Sequence, residues 1–307
     1  MKLFLYKIFF FFLTSVFILV LYENSLSLVP NTYTLKKKLI EKNKDSINMV
    51  VVGTSHVFGG IIPSKMTNFT VNIANQSQSI YYDIELLKKY IEQLPNLNTI
   101  VFDINFFTFQ YNLDNGPEAW RALYYKNTFN ITPQTKELCF SDNFLIKMYN
   151  PKDIVFHIGS IPLYEGYYKS NGVALDSEVL SVVNKEISIR RYNHLVNTYM
   201  LKSEQTEIIE KLERFLQNLT KTKIKVVFVQ VPISPTMYSY IDKKLLFENN
   251  NILKNLCEKY PNVKSINMLN DIRFFEHDFR DPDHLNPKGA IKFSSLLNAE
   301  INTLYSD

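Results

Sequence analysis

Three apolar runs set the terms for any fold this chain can adopt. Ile47 to Val52, Thr99 to Phe106 and Lys225 to Val231 are dense in β-branched and aromatic residues and read as strands. Between and after them lie longer segments with an apolar stripe at helical spacing. Tyr81 to Gln93, with the adjoining Leu94, sets Leu86, Leu87, Tyr90, Ile91 and Leu94 on one face and is stopped by Pro95-Asn96. Glu204 to Leu219, Lys243 to Tyr260 and Pro287 to Leu304 are further helices, the last opened by Asn286 and Pro287 as an N-cap and first-turn pair. Two shorter strands, Val71 to Ala74 and Val263 to Met268, complete the alternation. Strand, helix and strand in that order predict an α/β domain, three-layered around a mostly parallel sheet.

Residues of about 111–203 interrupt the pattern. Periodicity is poor there, and Trp120-Arg121, Tyr124-Tyr125 and Tyr164 to Tyr168 stand out. Long irregular insertions in compact domains serve as lids, binding loops or partner surfaces, and this one is read as covering the carboxyl edge of the sheet. At the amino terminus, Leu3 to Tyr22 is almost wholly apolar, broken by Lys7 and softened by Thr14 and Ser15. A span of about 20 such residues crosses a bilayer as a helix. Lys7 can snorkel to the headgroups, and no small-x-small cleavage site follows, so residues 1–23 read as an uncleaved anchor rather than a signal segment. Lys2 and Lys7 favour a cytoplasmic amino terminus, against a more distant pull from Lys36, Lys37 and Lys38, which places the remainder of the chain outside the membrane. Residues 24–46, opened by Pro30-Asn31 and strongly charged from Lys36 to Asp45, read as a stalk, with the folded domain over 47–307. A fragment starting near Asp45 is then expected to fold. The net charge of +4 is carried by scattered lysines, not by the basic stripe of a nucleic-acid binder. Cys139 and Cys257 fit no metal-site spacing and read as two unpaired, buried thiols.

Two polar blocks fall where such a sheet gathers chemistry, at the carboxyl ends of strands. The first run stops at Gly53-Thr54-Ser55-His56, a tight strand-to-helix turn that holds Ser55 at the sheet edge. Far along the chain, Arg280-Asp281-Pro282-Asp283-His284 leads into the last helix. A hydroxyl is a weak nucleophile until a base takes its proton, and an Asp-His pair supplies a base fixed in one tautomer. Each block alone reads equally as local capping of a helix start. Together, on loops at one sheet edge, they point to Ser-His-Asp acyl transfer.

At these blocks the chain resembles the SGNH (GDSL-like) hydrolase superfamily, over approximately residues 47–107 and 224–304. The resemblance implies the flavodoxin-like SGNH architecture, with Ser55 as nucleophile, His284 as base and Asp281 as its orienting carboxylate. Asp283 lacks the family spacing. Asn72 matches the start of the second family block, whose glycine position is Ser77, and Phe102-Asp103-Ile104-Asn105 matches the third. The implied oxyanion donors are the backbone N–H groups of Ser55 and Ser77 and the side chain of Asn105, with Asn75 as competitor. No cofactor and no metal are implied.

Membrane-anchored members with a large insertion resemble proteins that O-acylate cell-surface polysaccharides, among them alginate and peptidoglycan O-acetylation proteins and the D-alanyl transfer protein of teichoic acids. That likeness implies an ester or acyl-donor substrate, a glycan acceptor, a membrane acyl-donor protein and an extracytoplasmic domain. Two alternatives stand beside it. One is a catalytically silent polysaccharide assembly or binding protein on this fold. The other is a metal-dependent hydrolase using His277, Asp278, Asp281, Asp283 and His284, although their spacing matches no zinc pattern. His56 is expected to point away from Ser55, and His157 and His194 to be structural or exposed.

Overall fold

Every pairing in the main sheet is parallel, because each strand returns to the sheet through a helix or a longer connection. The structure, a computed structural model, describes residues 1–26, 29, 31–135, 138–145 and 183–304. Its strands are β1 (Met49–Val52), β2 (Thr70–Asn72), β3 (Thr99–Asp103), β4 (Lys225–Gln230) and β5 (Val263–Asn267), in the order β2-β1-β3-β4-β5. Val50 sits between Val71 and Ile100, and Val101 opposite Val227, which fixes the register across the centre. That order is the flavodoxin-like one, and its switch point lies where the chain leaves β1 with β2 on one side and β3 on the other.

Ten helices described in the structure frame this sheet and its approach: α1 (Lys2–Leu26), α2 (Thr32–Asn43), α3 (Ser55–Gly60), α4 (Ile80–Tyr90), α5 (Ala122–Phe129), α6 (Lys185–Tyr199), α7 (Gln205–Leu219), α8 (Pro235–Tyr238), α9 (Lys243–Lys259) and α10 (Pro287–Leu304). Successive strand residues point to opposite faces, and the core divides accordingly. Val50, Val52, Ile100, Phe102, Val226 and Phe228 pack with Leu86 and Leu87 of α4, Leu212 and Leu216 of α7 and Leu253 of α9. Met49, Val51, Val101, Val227 and Val229 pack on the other face with Val57 of α3 and Phe293 and Leu297 of α10. The three-layer α/β fold expected from the sequence is therefore present. α7 shows why its residues are helical: Ile208, Leu212, Phe215, Leu216 and Leu219 make one buried stripe.

The segment expected as a stalk is instead part of the domain. Asn31 caps α2 reciprocally with Thr34, its side chain accepting from the Thr34 N–H at 2.9 Å while the Thr34 hydroxyl accepts from the Asn31 N–H at 3.2 Å. Tyr33, Leu35, Leu39 and Ile40 are buried, and Leu26 and Val29 join the same core. Lys36 is buried too, its ammonium 4.4 Å from the centre of the Phe58 ring, and burial holds its pKa well below the usual lysine value. A run of lysines that reads as solvated thus covers the edge of a sheet. The cysteines are free, as expected, but not buried as expected: Cys139 is exposed and Cys257 half-buried.

α1 stands apart from the core over most of its length, its side chains exposed from Leu3 to Leu21 except for partial cover at Ser15. It is long and apolar enough to cross a membrane.

The position of α2 generates a test. A fragment beginning at Asn31 should fold as a soluble domain, whereas one beginning at Asp45 should not. Losing Leu35, Leu39 and Ile40 alone removes roughly 5–9 kcal/mol of burial, against a total stability of about 5–15 kcal/mol for a typical domain. Thermal melts of the two fragments followed by circular dichroism check this. A cooperative melt of the shorter fragment at an unchanged midpoint would show that α2 is dispensable.

Candidate active site

The turn that carries Ser55 depends on how closely two central strands approach. Gly53, directly after β1, has φ of +136°, and a Cβ there would lie 2.2 Å from the Cβ of Asp103 at the end of β3. Only glycine meets both conditions. Thr54 then caps the short helix α3, and it is held from the side by Asp103. The Asp103 carboxylate accepts from the Thr54 N–H at 3.1 Å and from the Thr54 hydroxyl at 2.5 Å. Ser55, the first residue of α3, follows half-buried at the carboxyl edge of the sheet. As a first-turn residue it leaves its backbone N–H outside the helical ladder.

The second block folds as a small hairpin, β6 (Phe279–Asp281) and β7 (His284–Leu285), paired antiparallel. One Asp281 oxygen accepts the backbone N–H groups of Asp283 at 3.1 Å and His284 at 2.9 Å, so the turn itself orients that carboxylate. Its two oxygens lie 2.9 and 3.0 Å from His284 Nδ1, and His284 Nε2 lies 2.8 Å from Ser55 Oγ. An ionised carboxylate only accepts, so Nδ1 carries the ring proton and Nε2 presents its lone pair to the serine hydroxyl. Asn286 completes the block by accepting from the Gly289 N–H at 3.0 Å as α10 begins.

The structure thus brings Ser55, His284 and Asp281 into one hydrogen-bonded line. It also brings together groups outside that line: Asp283 with Arg191, His56 and Asp103. Asp283, fully buried, takes a bidentate pair from Arg191 of α6, both contacts at 2.7 Å. Burial alone would raise the Asp283 pKa. A proton on His284, together with His56 and Arg191, holds it well below the usual carboxylate value. His56 does not point away, as its place in the turn led us to expect. It is buried, its ring 5.1 Å from that of His284 and 15° from parallel. Its Nδ1 lies 2.9 Å from Thr54 Oγ1, and its Nε2 3.5 Å from Asp283. Asp103 is the last of these groups. Burial raises its pKa, while His56 and the two Thr54 bonds act to lower it.

A cavity of about 180 Å³ opens over Ser55, lined by Ser77, Tyr111 and Glu118 and by Arg191, Leu195 and Tyr199 of α6. The end of the insertion therefore lies over the carboxyl edge. Residues 146–182, with Tyr164 to Tyr168 and His157, lie outside the described residues, and His194 is exposed. Ser77 has φ of +56°, the left-handed conformation that glycine adopts freely and that costs other residues roughly 1–2 kcal/mol. Its hydroxyl donates to Glu118, and its carbonyl accepts from the Tyr111 hydroxyl at 2.6 Å.

Asn105, expected as a side-chain oxyanion donor, does not line the cavity. It is buried behind His56, its amide nitrogen 3.4 Å from His56 Nδ1 and its oxygen accepting from the Phe107 N–H. Its competitor Asn75 is also buried and lines a neighbouring groove instead. The His56 ring takes the wall that Asn105 was expected to supply. Asn72 is structural, its amide donating to the carbonyls of Val57 and Ile61.

The metal alternative loses its ligand set. His277 is exposed, and Asp278 is occupied by Lys292 at 2.9 Å and the Phe275 N–H at 2.9 Å. Donor atoms of His56, Asp283 and His284 do lie within 4.8 Å of one another. Both oxygens of Asp283 are held by Arg191, however, and both nitrogens of His284 by Asp281 and Ser55, which leaves one free ring nitrogen.

No protein-family model matches this chain, and no curated protein matches it. Among solved structures it is similar to one described as "a putative platelet activating factor from Streptococcus pneumonia", at 13% identity and a TM-score of 0.43, over 94% of this chain and 99% of that one. A likeness at that level bears on neither activity nor substrate.

The strand contact at Gly53 carries its own test. Gly53→Ala should lower stability by about 1–3 kcal/mol through the unfavourable φ alone, with the Asp103 clash added. Because the strain falls on the turn before Ser55, any reactivity of Ser55 should fall further than the melting temperature implies. Denaturant titration beside a serine-labelling rate separates the two effects.

Proposed function

We propose that this protein is a Ser-His-Asp acyl-transfer enzyme, an esterase or O-acyltransferase. The observation that carries the reading is the continuous line from Ser55 through His284 to Asp281, at 2.8 Å and 2.9–3.0 Å. His284 Nε2 takes the Ser55 proton as Oγ bonds to an ester carbonyl carbon. The carbonyl electron pair moves to oxygen, and the backbone N–H groups of Ser55 and Ser77 are the candidate donors to it. One such donor contributes about 2.7–4 kcal/mol to the transition state. His284 then protonates the departing alcohol oxygen, leaving an acyl group on Ser55. Water or a sugar hydroxyl attacks next, again losing its proton to His284.

Hydrolysis and transfer share this sequence and differ only in which acceptor reaches the acyl group. The resemblance to polysaccharide O-acylating proteins supports a cell-surface glycan as acceptor, and an acyl donor arriving at the membrane through a partner. α1 supports a single-pass anchor with the domain on the extracytoplasmic side. A second reading, a catalytically silent glycan-binding protein, is favoured by the withdrawal of Asn105 from the cavity.

A fluorophosphonate probe separates the two readings. Covalent capture at Ser55 by folded wild-type protein, abolished in Ser55→Ala with little change in melting temperature, is the expected result. Refusal of the probe by folded protein would leave the binding protein. The two carboxylates should also part company. Asp281→Asn should slow turnover by about three to four orders of magnitude with little loss of stability, since it removes the group that fixes the ring tautomer. Asp283→Asn should instead cost about 3–5 kcal/mol of stability by stranding Arg191 in a broken buried pair. Equal kinetic losses at matched stability would defeat the assignment of Asp281.

A further inference from the structure

A second histidine stands against the base, and its bonding fixes where one of its ring protons sits. The Thr54 hydroxyl has one proton, and at 2.5 Å from Asp103 that proton goes to the carboxylate. The Thr54 oxygen can then only accept from His56, so His56 Nδ1 carries a proton. On the other edge, Nε2 is buried 3.5 Å from a carboxylate oxygen of Asp283 and has no hydrogen bond to any described residue. A lone pair buried in that position would face negative charge. A proton there faces an ion pair.

We propose that His56 is a positioning residue that stands as an imidazolium, steadying the nucleophile turn with one edge and Asp283 with the other, and that its charge governs how readily His284 takes up a proton. The proposal rests on the triad reading above. The groups that face His56 are Asp103 and Asn105 from the end of β3 and beyond, Asp283 and His284 from the hairpin, Arg191 behind Asp283 from α6, and the Phe107 ring at 6.1 Å. His56 is the group whose charge faces both carboxylates, Asp103 at 3.8 Å and Asp283 at 3.5 Å, while Arg191 pairs with Asp283. Burial alone would lower the His56 pKa, but the contacts with Asp283 and Asp103 outweigh it, and the net direction is upward.

The functional consequence has a sign. Asp283 lies 3.6 Å from His284 Nδ1 and competes with Asp281 for that ring. His56 draws on the Asp283 charge and adds its own positive charge one ring-stack away, and both effects disfavour a second proton on His284. Removing the charge should therefore make the base easier to protonate and narrow the working range from the acid side.

The experiment uses the full chain in detergent and the rate of fluorophosphonate labelling at Ser55 as a function of pH. In His56→Gln, which keeps an amide donor of similar reach, the acid limb should move to higher pH by about one unit or more, as expected for a charge at this separation in a partly dry site. A purely structural role would lower the rate at every pH and leave the limb in place, and that result overturns the proposal. Labelling of the wild type at no pH defeats the triad reading, and this one with it. Imidazole nitrogen NMR of wild-type protein gives an answer independent of the variant's folding. One histidine should keep both ring nitrogens protonated at about pH 8, above the ordinary imidazole value. Finding every histidine singly protonated there also overturns the proposal.

Discussion

The carboxylate of Asp103 is the point from which the site is built. It closes the end of β3 against the turn that leaves β1, and it takes both polar hydrogens of Thr54. Thr54 in turn receives His56 and caps the helix that begins with Ser55. A buried carboxylate is costly unless several donors converge on it. The donors here are the groups whose positions decide where Ser55 stands. Gly53 is the condition for this arrangement, because any side chain there would fall on Asp103. Fold and site share one contact between adjacent strands.

The active line is assembled from two distant stretches of chain, and each of its members has a local reason for its geometry. Ser55 is placed by a strand-to-helix turn. Asp281 is placed by the two backbone N–H groups it receives in its own hairpin. His284 is placed by Asp281 and by Ser55 together. Behind them, Arg191 reaches Asp283 from α6. The ion pair lies under the base, so the insertion contributes to the floor of the site as well as to its cover.

Much of this was legible in the sequence, and the reasons for the remainder are physical. Runs such as Thr99 to Asp103 announce strands because β-branched and aromatic side chains suit a pleated sheet, and α7 and α10 announce themselves by periodicity. The Asp281-x-x-His284 spacing was readable because its geometry is local. α2 was hidden because lysine looks solvated in a sequence, while in the fold the Lys36 ammonium rests over Phe58. Arg191 was hidden because its contact with Asp283 spans 92 residues, and because α6 buries only Ser188 and Leu195 and so shows no apolar stripe. His56 was misread because the direction of a side chain in the first turn of a short helix depends on what surrounds it, here Thr54 and Asp283.

The burial of Leu26 and Val29, with Tyr22 packed partly against the same core, changes what the amino-terminal helix can do. A 23-residue flexible stalk over residues 24–46 would let the domain wander by about 25–30 Å from its root. Here the last residue of the apolar helix is itself part of the core. With α1 standing in a bilayer, the domain would keep one distance from its root rather than a range of distances. A leashed domain searches a volume; a docked one keeps to a plane. Whatever the domain meets would then have to come to that plane, and lateral drift would replace the search that a leash allows.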